Sequence, residues 1–163
     1  SVKNDDNTGE TIRTDDSSSN SINVYYQTKL ATGRWLPVVK NNEDYAGIRG
    51  QNITGLAITT DIGYIKYRVH VDSGWLDFID SHNTDINDYY NGYAGNDTPV
   101  DAVEIYYYTP DDIIKSSGYH YAFYRVSPVN GNYYSYQKDN NNGMDGYAGI
   151  WGHFIDRLQI DIR

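Results

Sequence analysis

The tripeptide Tyr-Ala-Gly at residues 45–47 decides the fold of this chain, because it returns at residues 93–95 and 147–149. Each copy ends a polar, Asn- and Asp-rich stretch, and each precedes a segment with matched apolar spacing. The matched positions are Ile53, Leu56 and Ile58 in the first segment, Val100, Val103 and Ile105 in the second, and Ile155, Leu158 and Ile160 in the third. The last two positions of each set are two residues apart, so they point to the same face of a strand.

The same order of features extends upstream of each tripeptide. A strand-like segment opens each copy, and a glycine then precedes an aromatic residue, as in a turn followed by a second strand. The glycine and aromatic pairs are Gly33 and Trp35, Gly74 and Trp75, and Gly131 and Tyr133. The sequence therefore predicts three internal repeats, at about residues 22–61, 64–108 and 119–163. The longer spacing before the third tripeptide predicts an inserted loop at residues 109–119.

The pattern predicts an all-β domain. No segment keeps apolar residues three and four apart over three turns, and Gly, Asn, Asp and Thr interrupt every candidate helix. A repeat of roughly 45 residues cannot bury its own apolar face. We therefore expect the three copies to close around a shared core with pseudo-threefold symmetry. A β-trefoil-like barrel is favoured, and a three-sheet β-prism is the alternative.

The composition excludes several classes of function. Thirteen Lys and Arg against 22 Asp and Glu give a net charge of −9, which disfavours nucleic acid as a partner. The absence of cysteine excludes thiol catalysis, disulfides and Cys-ligated zinc. No apolar run is long enough for a spanning helix, so we expect no membrane insertion. The 18 tyrosines indicate exposed stacking surface, although strand propensity alone also favours tyrosine.

The first 20 residues contain no aromatic side chain and are rich in Ser, Asn, Asp and Thr. Such a stretch cannot bury enough surface to offset its ordering entropy. We expect residues 1–21 to form a flexible linker that follows another domain, and residues 22–163 to form a monomeric folded domain.

Five stretches of the chain carry a resemblance to a known family. They are residues 67–70, 74–75, 91–95, 100–103 and 149–160. Together they resemble the C-terminal cell-wall-binding domains of enterolysin A-like bacteriolysins and of phage endolysins. The resemblance implies a non-catalytic domain that holds a peptidoglycan hydrolase against the Gram-positive wall, with an N-terminal zinc endopeptidase, muramidase or amidase domain in the parent chain. It also implies a protein that is secreted or phage-released and acts at the bacterial cell wall.

A search for catalytic and metal-binding motifs finds none with the required spacing. The four histidines, at positions 70, 82, 120 and 153, include no closely spaced zinc-binding pair, and we expect His70 to be a packed or surface residue. No Gly-x-Ser-x-Gly motif occurs. Residues 139–146 lack the glycine and glutamate of a calcium-binding loop, so we expect a turn-rich loop there. We predict no catalytic residue, no metal and no cofactor.

The candidate ligand-binding residues are aromatic and polar side chains around the turns. Proteins bind sugars by stacking an aromatic ring under an apolar C–H face and by placing amide or carboxylate groups at the edge. The candidates are Trp35, Asp44, Tyr45, Trp75, Asn91, Tyr93, Tyr133, Asp145, Tyr147 and Trp151. The Ala and Gly of each tripeptide would let a ligand approach the backbone closely. An architectural role for the tripeptide tyrosines, with their hydroxyls bonded to backbone groups, is the alternative.

We expect the ligand to be a peptidoglycan or wall-glycan component, bound by several weak sites that act together on a polymer. The acidic charge favours a mostly uncharged target, because teichoic phosphates would be repelled. A lectin-like adhesin for soluble or host glycans is the alternative. A glycosidase with an unrecognised carboxylate pair, such as Glu43 and Asp44, is the less favoured hypothesis.

Overall fold

Short and long β-strands dominate the part of the chain that the structure describes. The structure is a computed structural model, and it describes residues 21–139 and 146–163. Strands account for 45% and helices for 7% of the described residues, which confirms the predicted all-β class. The strands are β1 (Val24–Leu30), β2 (Val39–Lys40), β3 (Ala46–Gly47), β4 (Ile53–Thr60), β5 (Tyr64–Val71), β6 (Gly74–Trp75), β7 (Ile79–Asp80), β8 (Ala94–Gly95), β9 (Ala102–Tyr108), β10 (Ala122–Pro128), β11 (Gln137–Lys138), β12 (Tyr147–Gly149) and β13 (Ile155–Ile162).

Two of the sequence predictions fall largely on residues that the structure does not describe. The predicted linker at residues 1–21 lies outside the described residues except for Ser21. The predicted loop at residues 139–146 is described only at its two ends, Asp139 and Gly146.

The strands form three separate sheets. The first sheet has the order β2-β1-β4-β8, the second β12-β9-β5-β6 with β7 also paired to β5, and the third β11-β10-β13-β3. Each is built on one long antiparallel pair, β1 with β4, β5 with β9, or β10 with β13. The sheets are not closed into a barrel, which differs from the closed barrel that the sequence favoured. The outer strands are only two or three residues long, so the hydrogen-bonded ladder stops before it reaches the next sheet.

We refer to residues 22–61, 64–108 and 119–163 as the first, second and third segments. Each Tyr-Ala-Gly strand pairs with a strand of a different segment. β8 from the second segment pairs with β4, β12 from the third segment pairs with β9, and β3 from the first segment pairs with β13. Each segment therefore completes the sheet of another, and the three exchanges form a closed cycle.

The glycine of each tripeptide is required by this exchange. Its φ is 119° at Gly47, 141° at Gly95 and 120° at Gly149, a region that favours glycine. A Cβ would lie 2.0 Å from the carbonyl oxygen of Asp156 at Gly47, 2.4 Å from that of Thr54 at Gly95, and 2.2 Å from that of Asp101 at Gly149. The chain's own closing strands, β4, β9 and β13, or the residues just before them, therefore occupy the space on the Cβ side of each glycine. Ligand approach to the backbone from another side stays a prediction.

Buried tyrosine hydroxyls join the three sheets to one another. Alternation along β1, β5 and β10 turns one tyrosine of each strand into the core, where Tyr26, Tyr67 and Tyr124 are at most 1% exposed. Each hydroxyl accepts a backbone N–H from a closing strand of a different sheet. The bonds run from Ile160 to Tyr26 at 3.1 Å, from Ile58 to Tyr67 at 3.1 Å, and from Ile105 to Tyr124 at 3.2 Å. These N–H groups lie just beyond the paired ends of the short outer strands, so the hydroxyls satisfy donors that the ladder leaves open.

The segment at residues 109–119, predicted as a loop, contains the helix α1 (Asp111–Ser117). Asp111 and Asp112 occupy its first turn and Lys115 its last, as the helix dipole favours, and Gly118 with φ 88° ends it. None of its residues is buried, and seven residues are too few to show an apolar period. Among the described helices, none has the length and apolar character needed to cross a membrane.

The close approach at Gly149 can be separated from backbone strain by a matched substitution. We expect Gly149→Ala to lower the free energy of unfolding by at least ~2 kcal/mol more than Gly74→Ala. Gly74 has nearly the same φ, 117°, but a Cβ there meets nothing within 4 Å. Urea denaturation of both variants measures the difference, and equal losses would show that the strand exchange does not restrict this position.

Replacing Tyr67 with Phe removes one of the joining hydroxyls. The buried N–H of Ile58 then loses its acceptor, and we expect the free energy of unfolding to fall by about 1–3 kcal/mol. Tyr64→Phe, on the same strand, is the control, because the Tyr64 ring stacks on Tyr108 at 4.6 Å and has no described hydroxyl bond. Thermal and urea unfolding should distinguish the two variants, and the same small effect in both would contradict the role assigned to Tyr67.

Candidate functional site

The strand exchange brings predicted aromatic residues of different segments together. Trp35 meets Tyr93 with ring centroids 4.9 Å apart and planes at 89°. Trp75 meets Tyr147 at 5.6 Å and 76°. In both pairs the aromatic residue after the first turn of one segment contacts the tripeptide tyrosine of the next, so each site is made by two segments.

The second of these contacts belongs to an exposed aromatic surface, which we call the Trp151 platform: Trp75, Tyr147 and Trp151, with His70 beneath it. The Trp151 ring is stacked on His70 with a centroid distance of 4.5 Å and an interplanar angle of 1°. Tyr147 lies 6.1 Å from Trp151 at 22°, nearly parallel to it. Trp151 is 55% and Tyr147 37% exposed, so both rings present surface to solvent.

His70 is fixed beneath the platform by a buried carboxylate. Its Nδ1 lies 2.6 Å from Oδ1 of Asp101, which is 3% exposed. The other oxygen of Asp101 accepts the N–H of Gly152 at 2.8 Å. One carboxylate therefore orients the imidazole and also holds the turn that carries Trp151.

The Trp75 ring is held by a cation from the same sheet. The guanidinium of Arg68 lies 4.5 Å from the ring centroids of both Trp75 and Phe78. Its Nε is 2.6 Å from Oε1 of Glu104, and the other oxygen of Glu104 accepts the hydroxyl of Tyr106. The paired charge and the aromatic contacts fix the edge of the platform.

The contact between Trp35 and Tyr93 is closed rather than exposed. Tyr93 is only 2% exposed, so its ring is a packing element and presents little surface for stacking. Lys29 Nζ lies 3.2 Å from the Tyr93 hydroxyl and 2.7 Å from Asp97 Oδ1. This contact with Asp97 raises the pKa of Lys29. Asp97 stands two residues after its tripeptide, where the third segment has Trp151.

In the third segment, two guanidinium groups lie against Tyr133, the aromatic residue that follows the first turn. Tyr133 lies 4.3 Å from Arg125 and 5.4 Å from Arg157, measured from ring centroid to Cζ. Burial raises the pKa of Tyr133, so its hydroxyl stays protonated at neutral pH. Tyr45, the tripeptide tyrosine of the first segment, is 41% exposed.

The predicted polar residues are used within their own turns where the structure describes them. Asp44 accepts the N–H of Tyr45 at 2.8 Å, and Asn91 donates its side-chain N–H to Asp88 at 3.2 Å. Both are exposed. Asp145 lies outside the described residues.

Two corresponding clefts lie beside the tripeptide strands of the first and second segments. The cleft of about 250 Å³ in the first segment is lined by Leu36, Val38, Asp44 and Tyr45, among others. The cleft of about 200 Å³ in the second segment is lined at the matching places by Leu76, Tyr93 and their neighbours. It also contains Tyr89 and the 74% exposed Tyr90, whose rings stack at 4.3 Å.

Burial raises the pKa of Asp139 to about 6. This carboxylate is 2% exposed and accepts the backbone N–H of Tyr107, so it faces the protein's own main chain. Burial also raises the pKa of Asp161, which is hydrogen-bonded to Arg163. Among the described residues, no three His, Asp or Glu side chains form a group that could hold a metal ion.

The structure thus brings three of the predicted residues, Trp75, Tyr147 and Trp151, into one exposed platform. Sequence reasoning missed the supporting role of Arg68 and His70, which the alternation along β5 places on its outward face. No protein-family model, no curated protein and no solved structure matches the chain.

The exposure of the platform can be measured by fluorescence, since Trp35, Trp75 and Trp151 are the three tryptophans of the chain. Trp151 is exposed, whereas Trp35 and Trp75 are half-buried. We therefore expect Trp151→Phe to lower the acrylamide quenching constant and Trp35→Phe to raise it, because the quencher reaches exposed rings most often. The opposite order would contradict an exposed Trp151.

Proposed function

We propose that this chain is a non-catalytic domain that binds a peptidoglycan or wall-glycan component and so holds a peptidoglycan hydrolase against the Gram-positive cell wall. The observation that carries the proposal is the Trp151 platform, where two large rings lie nearly parallel and open to solvent. The hydrolase domain would precede this domain in the parent chain, and the parent protein would be secreted or phage-released.

The platform has the properties that sugar binding requires. A pyranose presents apolar C–H groups that pack on an aromatic face, and the rigid ring loses little entropy on contact. His70 is stacked against the ring of Trp151 and Arg68 packs over the ring of Trp75, so the rings are ordered before a ligand arrives. Asp72 and Ser73, exposed in the turn before Trp75, supply polar groups beside it for sugar hydroxyls.

The choice of the bacterial wall over other glycans rests on the resemblance stated above. The net charge of −9 agrees with a ligand that is largely neutral around the platform. A lectin-like adhesin for soluble or host glycans would use the same surface, so a glycan array separates the two functions. Clearing of cell walls in a zymogram would instead favour a glycosidase.

We further propose that the three segments are copies of one unit arranged about a pseudo-threefold axis. The cyclic exchange of tripeptide strands and the cycle of tyrosine hydroxyls both support this arrangement. Three separate sheets favour the three-sheet prism over a single closed barrel.

The copies would not bind equally. The Trp151 platform is open, whereas the corresponding position in the first sheet is occupied by the Lys29 and Asp97 pair. The two clefts add further contact surfaces. Several weak contacts on one rigid body strengthen binding to a polymer through effective concentration, by roughly 10²-fold or more.

A sedimentation assay with purified Gram-positive walls tests the proposal. We expect Trp151→Ala to weaken wall binding by roughly tenfold or more while leaving the melting temperature nearly unchanged, because the ring contributes mainly to ligand contact. Tyr119→Ala is the matched control, since Tyr119 is similarly exposed at 61% but lies outside the platform.

Platform binding should also persist when salt is raised, because ring stacking and neutral hydrogen bonds are screened little. The proposal fails if the wild-type domain stays in the supernatant with a broad panel of wall types. If the Trp151→Ala variant binds walls as strongly as the wild-type domain, the platform is not the binding site.

A further inference from the structure

Two arginines occupy matching places on the outward faces of the second and third sheets. Arg68 on β5 lies between Trp75 and Phe78, at 4.5 Å from each ring. Arg125 on β10 lies between two tyrosine rings in the same way, at 4.3 Å from Tyr133 and 4.7 Å from Tyr136. In both places two aromatic rings pack against a planar guanidinium, whose hydrogen bonds are made in its plane.

The residue opposite each arginine differs in charge. Strand register places Glu104 opposite Arg68 and Gln159 opposite Arg125. Glu104 forms an ion pair with Arg68, with Nε and Oε1 2.6 Å apart. Gln159 accepts from Nε of Arg125 at 2.9 Å and from Nη2 at 2.6 Å, through one neutral amide oxygen. Both partners accept from Nε of their arginine, but Gln159 carries no negative charge.

The positive charge of Arg125 therefore has no carboxylate partner among the described residues. No carboxylate within residues 21–139 and 146–163 forms an ion pair with it, whereas Arg157 pairs with Asp156 at 2.9 Å and Arg163 with Asp161 at 3.0 Å. The main-chain oxygen of Asp44 contacts Gln159, but the Asp44 carboxylate accepts the N–H of its own neighbour.

The edge of Arg125 has unused donors in a suitable pattern. A guanidinium carries five N–H groups, and Gln159 accepts from Nε and from one N–H of Nη2. The two N–H groups of Nη1 and the second of Nη2 have no acceptor among the described residues. Neighbouring N–H groups on Nη1 and Nη2 form the fork that binds two oxygens of a carboxylate or phosphate.

We propose that Arg125, with Tyr133 and Tyr136 packed against its guanidinium, binds an oxyanion carried by the wall polymer. The identity of the polymer rests on the proposed function, whereas the oxyanion site rests on the contacts of Arg125. The site is a local exception to the repulsion of anions by the acidic chain. In the wall this chemistry has two sources, the free carboxylates of the peptidoglycan stem peptides and the phosphates of teichoic polymers.

Paired small-molecule probes separate the two sources. N-acetyl-D-alanine is compared with N-acetyl-D-alaninamide, in which a neutral amide replaces the carboxylate, and sn-glycerol 3-phosphate is compared with glycerol. The readout is the Nε–H resonance of Arg125 in ¹H–¹⁵N spectra of the full chain, with Arg68 as the internal reference and Arg125→Lys for assignment. We expect at least one anion to shift the Arg125 signal while its neutral partner does not.

The second and third sheets supply a matched pair of variants. Gln159→Glu copies the Arg68 and Glu104 pair, keeps side-chain size, and is expected to weaken anion binding at Arg125 by tenfold or more because the new carboxylate occupies the guanidinium. Glu104→Gln copies the third sheet and is expected to create an anion response at Arg68. Both retain the arginine and its aromatic neighbours, and thermal unfolding checks their folding.

The outcomes distinguish this proposal from the wall-binding function. No response to either anion, equal responses to an anion and its neutral partner, or unchanged binding in Gln159→Glu would overturn the oxyanion site. If the wild-type domain does not sediment with walls but its Arg125 signal still responds to an anion, only the proposed function is overturned. A site that binds anions should weaken as salt is raised, while platform binding should not.

Discussion

A hydrogen bond between a buried tyrosine hydroxyl and a backbone N–H of another sheet is the interaction on which this structure depends. The short outer strands leave the edges of the closing strands unpaired beyond two or three residues, and an unpaired buried N–H is costly. Tyr26, Tyr67 and Tyr124 supply the missing acceptors from neighbouring sheets. Burial raises the pKa of each of these phenols, so they remain neutral and the core gains no charge.

The exchange of tripeptide strands follows from the same constraint, because each sheet needs an outer strand that its own segment does not supply. The exchange also decides where a binding site can form. Trp75 belongs to one segment, and Tyr147 and Trp151 belong to the next. The residues around these contacts differ between segments: one has an open platform, one the closed pair of Lys29 and Asp97, and one a guanidinium packed against tyrosine rings.

The chemistry of each surface depends on single residues at matching strand positions. Glu104 and Gln159 stand at matching register positions, and Glu104 neutralises Arg68 whereas the neutral Gln159 leaves the charge of Arg125 uncompensated. Trp151 and Asp97 likewise stand two residues after their tripeptides. Trp151 forms part of the aromatic platform, whereas Asp97 forms an ion pair with Lys29. A scaffold held together by backbone and hydroxyl bonds tolerates such changes, because its outward side chains carry little of the folding energy.

The sequence by itself determined the β class and the closing strands, because alternation with period two is a local property of the chain. It also drew attention to Trp75, Tyr147 and Trp151, since aromatic residues near turns are visible without coordinates. It did not determine that the tripeptide glycines face the chain's own strands, that Tyr93 is buried, or that His70 supports Trp151. Those facts depend on contacts between residues about 50 to 100 positions apart, and only the tertiary structure decides which strands meet.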